Sequence, residues 1–153
     1  MRIKNLLIIL GLTALALPVF AQSTKILINV DDNGLALQGY DPVAFFTVGK
    51  PVKGVEQFSS THDGGTYYFA SAADKTTFDA APQKYEPAFG GYCAYGVTRK
   101  KLVEIDVNAF QIVDNRLLLQ YSEGVRDKFN KDQKGNLAKA DSYWPALVEK
   151  KGK

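Results

Sequence analysis

The sequence predicts an α+β fold, a small antiparallel sheet of short strands and hairpins with two to three helices packed on it. Three observations predict it. Short apolar runs come in pairs around turn residues, first about Thr61-His62-Asp63-Gly64-Gly65 and again about Asp114-Asn115. Helix-start signals at Ser71, Ser122 and Gly135-Asn136 fall between and after those pairs. The strand connections are of hairpin length, which argues against a parallel βαβ arrangement.

In chain order, residues 22–34 read as a mobile lead-in with one short strand at 26–30, closed by the turn cluster Asp31-Asp32-Asn33-Gly34. Residues 43–48 form a second extended run. Pro42 and Pro51 flank it, and neither has an N–H to give to a strand ladder. Residues 55–59 and 66–70 are the arms of the first hairpin. Ser71 then caps a helix, with Asp74 three residues on, and Ala73, Phe78 and Ala81 give it an apolar face that Pro82 ends. Residues 85–97 are irregular: Gly90, Gly91 and Gly96 among Phe89, Tyr92 and Tyr95 imply close backbone packing.

Residues 102–105 and 110–113 are short strands, and 117–121 is the return strand beyond Asp114-Asn115. Ser122 caps a helix through about Lys131, in which Val125 and Phe129 stand four residues apart on one face. The last helical segment carries Leu137, Ala140, Tyr143, Trp144 and Leu147, and Pro145 is expected to kink or divide it.

The first 21 residues have the three parts of a cleavable signal peptide. Arg2 and Lys4 supply positive charge, residues 6–19 are apolar apart from Thr13, and Val19-Phe20-Ala21 presents small residues where a signal peptidase reads, so cleavage is expected before Gln22. The apolar run is shorter than the roughly 20 residues that span a bilayer. The expected address is therefore export, periplasmic or secreted, with no stable membrane anchor after cleavage. The domain plan is signal peptide 1–21, lead-in 22–34, one domain at 35–149 and a basic tail at 150–153.

Cleavage changes the charge argument. Lys plus Arg falls from 19 to 17 against 16 acidic residues, so the net charge drops from +3 to +1. The electrostatic footprint of nucleic-acid binding is missing. Cysteine usage is equally restrictive, because Cys93 stands alone and cannot form an intramolecular disulfide. It is a buried structural thiol, a reactive or metal-binding thiol, or half of an intermolecular bridge.

Residues 39–97 carry Gly39-Tyr40-Asp41-Pro42-Val43-Ala44-Phe45-Phe46, then Tyr67-Tyr68-Phe69-Ala70-Ser71, then Phe78, Pro82 and Tyr85, and finally Tyr92-Cys93-Ala94. In that order and spacing they resemble a YHS domain, and residues 103–147 resemble the extension of the exported (periplasmic) subgroup. The resemblance implies a small cysteine-based metal-binding domain for copper or another soft metal ion. Metal-binding members carry a cysteine directly after the Asp-Pro-Val opening and another at the end of the Tyr-Phe strand. Ala44 and Ala70 stand at those two places, and Cys93 is the thiol that remains.

The candidate metal ligands are Cys93, Asp41 and His62, with Tyr40 and Tyr92 beside them. Cys93 lies in a Gly- and Tyr-rich segment where backbone can approach a ligand, and Arg99, Lys100 and Lys101 follow it as cations able to activate a thiolate. Asp41 begins a turn before Pro42 and offers a hard donor or an orienting acceptor. His62, the single histidine, sits beside Asp63 in a turn, and the pair offers imidazole and carboxylate to a divalent ion. One histidine excludes a three-histidine zinc site. No paired-carboxylate motif, nucleotide-binding glycine loop or serine elbow is present, so a non-enzymatic role is expected. The leading expectation is an exported module binding a small ligand or metal ion around Cys93. The alternatives are a structural or protein-interaction domain without metal, and a thiol-based redox protein.

Overall fold

The computed structural model describes residues 25–153, so the signal-peptide assignment and the first residues of the lead-in lie outside the described residues. The described chain is α+β. Strands β1 (Val55–His62) and β2 (Gly65–Phe69) form one antiparallel hairpin, and β3 (Asp106–Val113) and β4 (Arg116–Gln120) form another. The strands do not join into one sheet but remain two two-stranded sheets. Both hairpins turn through two residues with positive φ, Asp63 (49°) and Gly64 (79°) in the first, Asp114 (51°) and Asn115 (59°) in the second. That is the turn whose twist matches the strands, and Asp, Asn and Gly tolerate it best.

Two helices are capped as their sequences require. Ser71 Oγ accepts the Asp74 N–H at 3.1 Å to open α2 (Ala72–Ala80), and Ser122 Oγ accepts the Val125 N–H at 3.3 Å to open α5 (Glu123–Asn130). Each cap satisfies an orphan donor and is worth about 1 kcal/mol. Pro82 ends α2 by starting the single turn α3 (Pro82–Tyr85), where its missing N–H has no partner to lose. The last helix, α6 (Gln133–Lys151), starts earlier than expected because the Asp132 carboxylate caps it on the Gly135 N–H. It runs through Pro145 undivided and buries Leu137, Ala140 and Leu147.

Three expected elements differ. Residues 43–48 are not extended: α1 (Ala44–Thr47) occupies them, because the Asp41 carboxylate accepts the N–H groups of Val43 and Ala44 and turns the chain into a helix. Residues 102–105 join no strand. Val103 instead accepts the Cys93 N–H through its carbonyl at 2.9 Å. The lead-in makes only a single bridge, Val30 to Ala36, yet it is pinned to the domain. Ile26 and Lys153 exchange two backbone hydrogen bonds, and Asn29 donates to the Gly90 carbonyl at 2.8 Å.

Strand β4 organises the core. Leu117, Leu118 and Leu119 are each fully buried. Alternation sends Leu118 to one side, with Phe89, Val97, Phe129 and Leu147, and Leu117 and Leu119 to the other, with Phe45, Cys93 and Val107. Cys93 opens the short helix α4 (Ala94–Val97). A third cluster, Tyr67, Phe69, Phe78 and Tyr85 with Val43, packs α2 and α3 on the first hairpin. Among the described residues no helix is long and apolar enough to cross a membrane.

Candidate metal centre

Strand register decides where the single imidazole goes. His62 ends β1 and pairs with Gly65, so its side chain shares the inner face of the hairpin with Tyr67 and Phe69, and its ring meets Phe78 edge-on at 6.0 Å. Asp63, the first residue of the turn, follows directly. Glu86 arrives from a distant part of the chain. It closes α3 by donating its N–H to the Pro82 carbonyl at 2.8 Å, and the following Pro87 favours its extended conformation.

The His62 Nε2 lies 3.2 Å from Glu86 Oε2 and 3.5 Å from Asp63 Oδ2. One donor atom from each of the three residues lies within 4.8 Å of the other two. Ligands held at about 2.1 Å around a tetrahedral ion stand roughly 3.4 Å apart, close to the two distances that His62 Nε2 makes with the carboxylates. The Nε2 atom is buried and makes no hydrogen bond of acceptable geometry, although both carboxylates are close. Burial pushes the Glu86 carboxyl above its usual range, His62 draws it back and Asp63 raises it again. Asp63 and Glu86 also line a cleft of about 320 Å³ with Leu27, Phe89 and Trp144, which leaves the group reachable from solvent.

Cys93 is in a different setting. It is 1% exposed among Leu37, Phe45, Ile105, Val107, Leu117 and Leu119. Its thiol donates to Gln120 Oε1 at 3.3 Å and its sulfur accepts the Gly96 N–H at 3.4 Å. The same Gln120 oxygen takes the Tyr95 N–H at 3.0 Å. A soft ion needs several thiolate or thioether donors. One thiol in an apolar shell beside a shared amide oxygen does not fit copper(I) as the resemblance implies. Two of the three cations expected to activate the thiol are engaged elsewhere: Arg99 stacks on Tyr95 at 4.7 Å, and Lys100 lies over Tyr143 at 4.6 Å.

Asp41 is fully buried and its acceptors are spent on backbone, Oδ1 on Val43 and Ala44 and Oδ2 on Ala70 at 2.8 Å. Burial raises its carboxyl above the usual range, the N–H groups of Ala70 and Val43 lower it, and Asp74 raises it. Tyr40 carries the Lys53 ammonium 4.5 Å over its ring, and the Tyr92 phenol is pushed up by burial and by Glu104. Thus Cys93, Asp41 and His62 do not come together. Among the described residues, His62 alone of the three belongs to a group of three metal donors. Glu86 was missed by sequence reasoning, because nothing in Tyr85-Glu86-Pro87 signals that it meets a turn far away in the chain. No family model, curated protein or solved structure matches the chain.

Proposed function

We propose that this chain is an exported, non-enzymatic binding module that holds a divalent metal ion at His62, Asp63 and Glu86. The observation that carries the reading is the convergence of two carboxylate oxygens, Glu86 Oε2 at 3.2 Å and Asp63 Oδ2 at 3.5 Å, on the buried His62 Nε2. A bound cation would sit among these three donors and neutralise the carboxylates. An imidazole with two carboxylates suits Zn²⁺ and its first-row neighbours rather than copper(I). The resemblance to metal-handling YHS domains supports the class of function, with the site moved away from Cys93. Residues 1–21 support export, and an N-terminus at Gln22 on the protein recovered from the exported fraction tests that part.

Titration of the purified, chelator-treated protein with Zn²⁺ tests the site. One equivalent is expected to bind to the wild type and to Cys93→Ser, and His62→Ala and Glu86→Gln are expected to lose it. A wild type that takes up no ion overturns the reading. The second reading, an interaction domain without metal, is favoured by the 3.2 Å contact between His62 and Glu86, which a protonated imidazole turns into an ion pair.

A further inference from the structure

Tyr67 is the largest fully buried side chain among the described residues, and its hydroxyl has no hydrogen-bond partner there. Phenol hydroxyls placed in a core normally find one. The ring itself is well accounted for, packed against Phe78 at 5.1 Å, and a phenylalanine would serve that contact equally. What needs explaining is the oxygen.

The hairpin register indicates where that oxygen goes. Tyr67 is two residues beyond Gly65, the cross-strand partner of His62, so the two side chains are diagonal neighbours on one face. Gly65 has no side chain to stand between them. A Cβ placed on Gly65 would lie 3.6 Å from Cε2 of Tyr67, the ring carbon next to the one that bears the hydroxyl. The hydroxyl end of the ring therefore leans back over Gly65, toward the end of the hairpin that carries His62 and Asp63. His62 and Tyr67 also meet the same ring, that of Phe78.

We infer that Tyr67 Oη is the fourth donor of the His62–Asp63–Glu86 site, making it a four-ligand site of one imidazole, two carboxylates and one phenolate for a first-row transition-metal ion of the Zn²⁺ class. This rests on the metal reading proposed above and deepens it. On binding, the metal–oxygen bond forms as the O–H bond of Tyr67 breaks, and the proton passes to the buffer. The cation provides the charge that a buried phenolate otherwise lacks. Without metal the hydroxyl is a cost that the protein carries for the site.

The test is calorimetric titration of the purified protein with Zn²⁺ in two buffers of different protonation enthalpy, which counts the protons released. Wild type is expected to release one proton more than Tyr67→Phe and to bind about 10-fold tighter or better. Metal-free Tyr67→Phe is expected to unfold at the same urea concentration as wild type or a higher one, since it deletes an unpartnered hydroxyl. Equal affinity and equal proton release in the two proteins overturn the role of Tyr67 while leaving the three-donor site standing. A metal-free Tyr67→Phe that is clearly less stable assigns the hydroxyl to a structural bond, such as one to a buried water, and overturns it too. If wild type binds no ion at all, the preceding proposal itself fails. Cys93→Ser is expected to change neither the proton count nor the affinity.

Discussion

Asp41 and Ala70 lie 29 residues apart in sequence, and the carboxylate of the fully buried Asp41 accepts the Ala70 backbone N–H at 2.8 Å. The other oxygen of the same carboxylate starts α1 at Val43 and Ala44. One side chain thus ties the start of a helix to the end of the first hairpin. This contact makes Asp41 a structural residue, and the first two predictions follow from it.

Asp41→Ala leaves the N–H groups of Val43, Ala44 and Ala70 without acceptors. The expected cost is about 2 to 4 kcal/mol, since each unsatisfied buried donor costs about 1 to 3 kcal/mol and water will recover part of the loss. Urea unfolding followed by tryptophan fluorescence measures it. Zn²⁺ affinity of the fraction that remains folded should match wild type.

The pH dependence has a definite sign. Burial raises Asp41 above the ordinary 3.8, so the folded state holds this proton more tightly than the unfolded state. Its contribution to stability is complete below 3.8 and is lost as pH rises through the folded value. With the metal removed, the contribution of Asp41 to the urea midpoint should therefore decline upward from pH 3.8. Asp74→Asn removes a neighbour that raises Asp41 and should flatten that decline. A decline of unchanged steepness in Asp74→Asn counts against the coupling.

Cys93 should resist alkylation in the native protein and react at a rate that follows global unfolding, because its sulfur is 1% exposed and bonded to Gln120. Cys93→Ala should cost about 1 to 2 kcal/mol through the lost sulfur contacts. Rapid modification of the folded protein would revive a reactive role for the thiol.

Gly90→Ala should be far more disruptive than its size suggests. Gly90 has φ +58°, and an added Cβ would lie 2.0 Å from the Leu27 carbonyl oxygen. The neighbour is backbone and cannot swing aside, so either the segment at residues 25–29 leaves its place or the domain loses about 3 kcal/mol. Limited proteolysis near Leu27 detects the first outcome and thermal unfolding the second.

The parts of the fold legible in the sequence are those set by local chemistry. Ser71 and Ser122 cap helices because their hydroxyls reach N–H groups three residues on, and Asp63-Gly64 and Asp114-Asn115 turn because those residues tolerate positive φ. The helix α1 was hidden, because the Val-Ala-Phe-Phe-Thr-Val run at residues 43–48 looks extended until the buried Asp41 carboxylate binds its first N–H groups. Likewise, the strand expected at 102–105 has no partner there, and only from Asp106 does the chain meet Gln120 and pair.

The candidate site divides in the same way. The sequence by itself determined the α+β class, the two hairpin turns, the helix caps and the scarcity of donors, with one histidine and one cysteine to choose between. Only the tertiary structure decided between them. It buried Cys93 in an apolar shell and brought Glu86 across to the His62-Asp63 turn. The reason is physical: caps and turns are contacts between near neighbours in the chain, whereas a metal centre needs donors gathered to within a few ångströms, and strand register and core packing alone do that gathering.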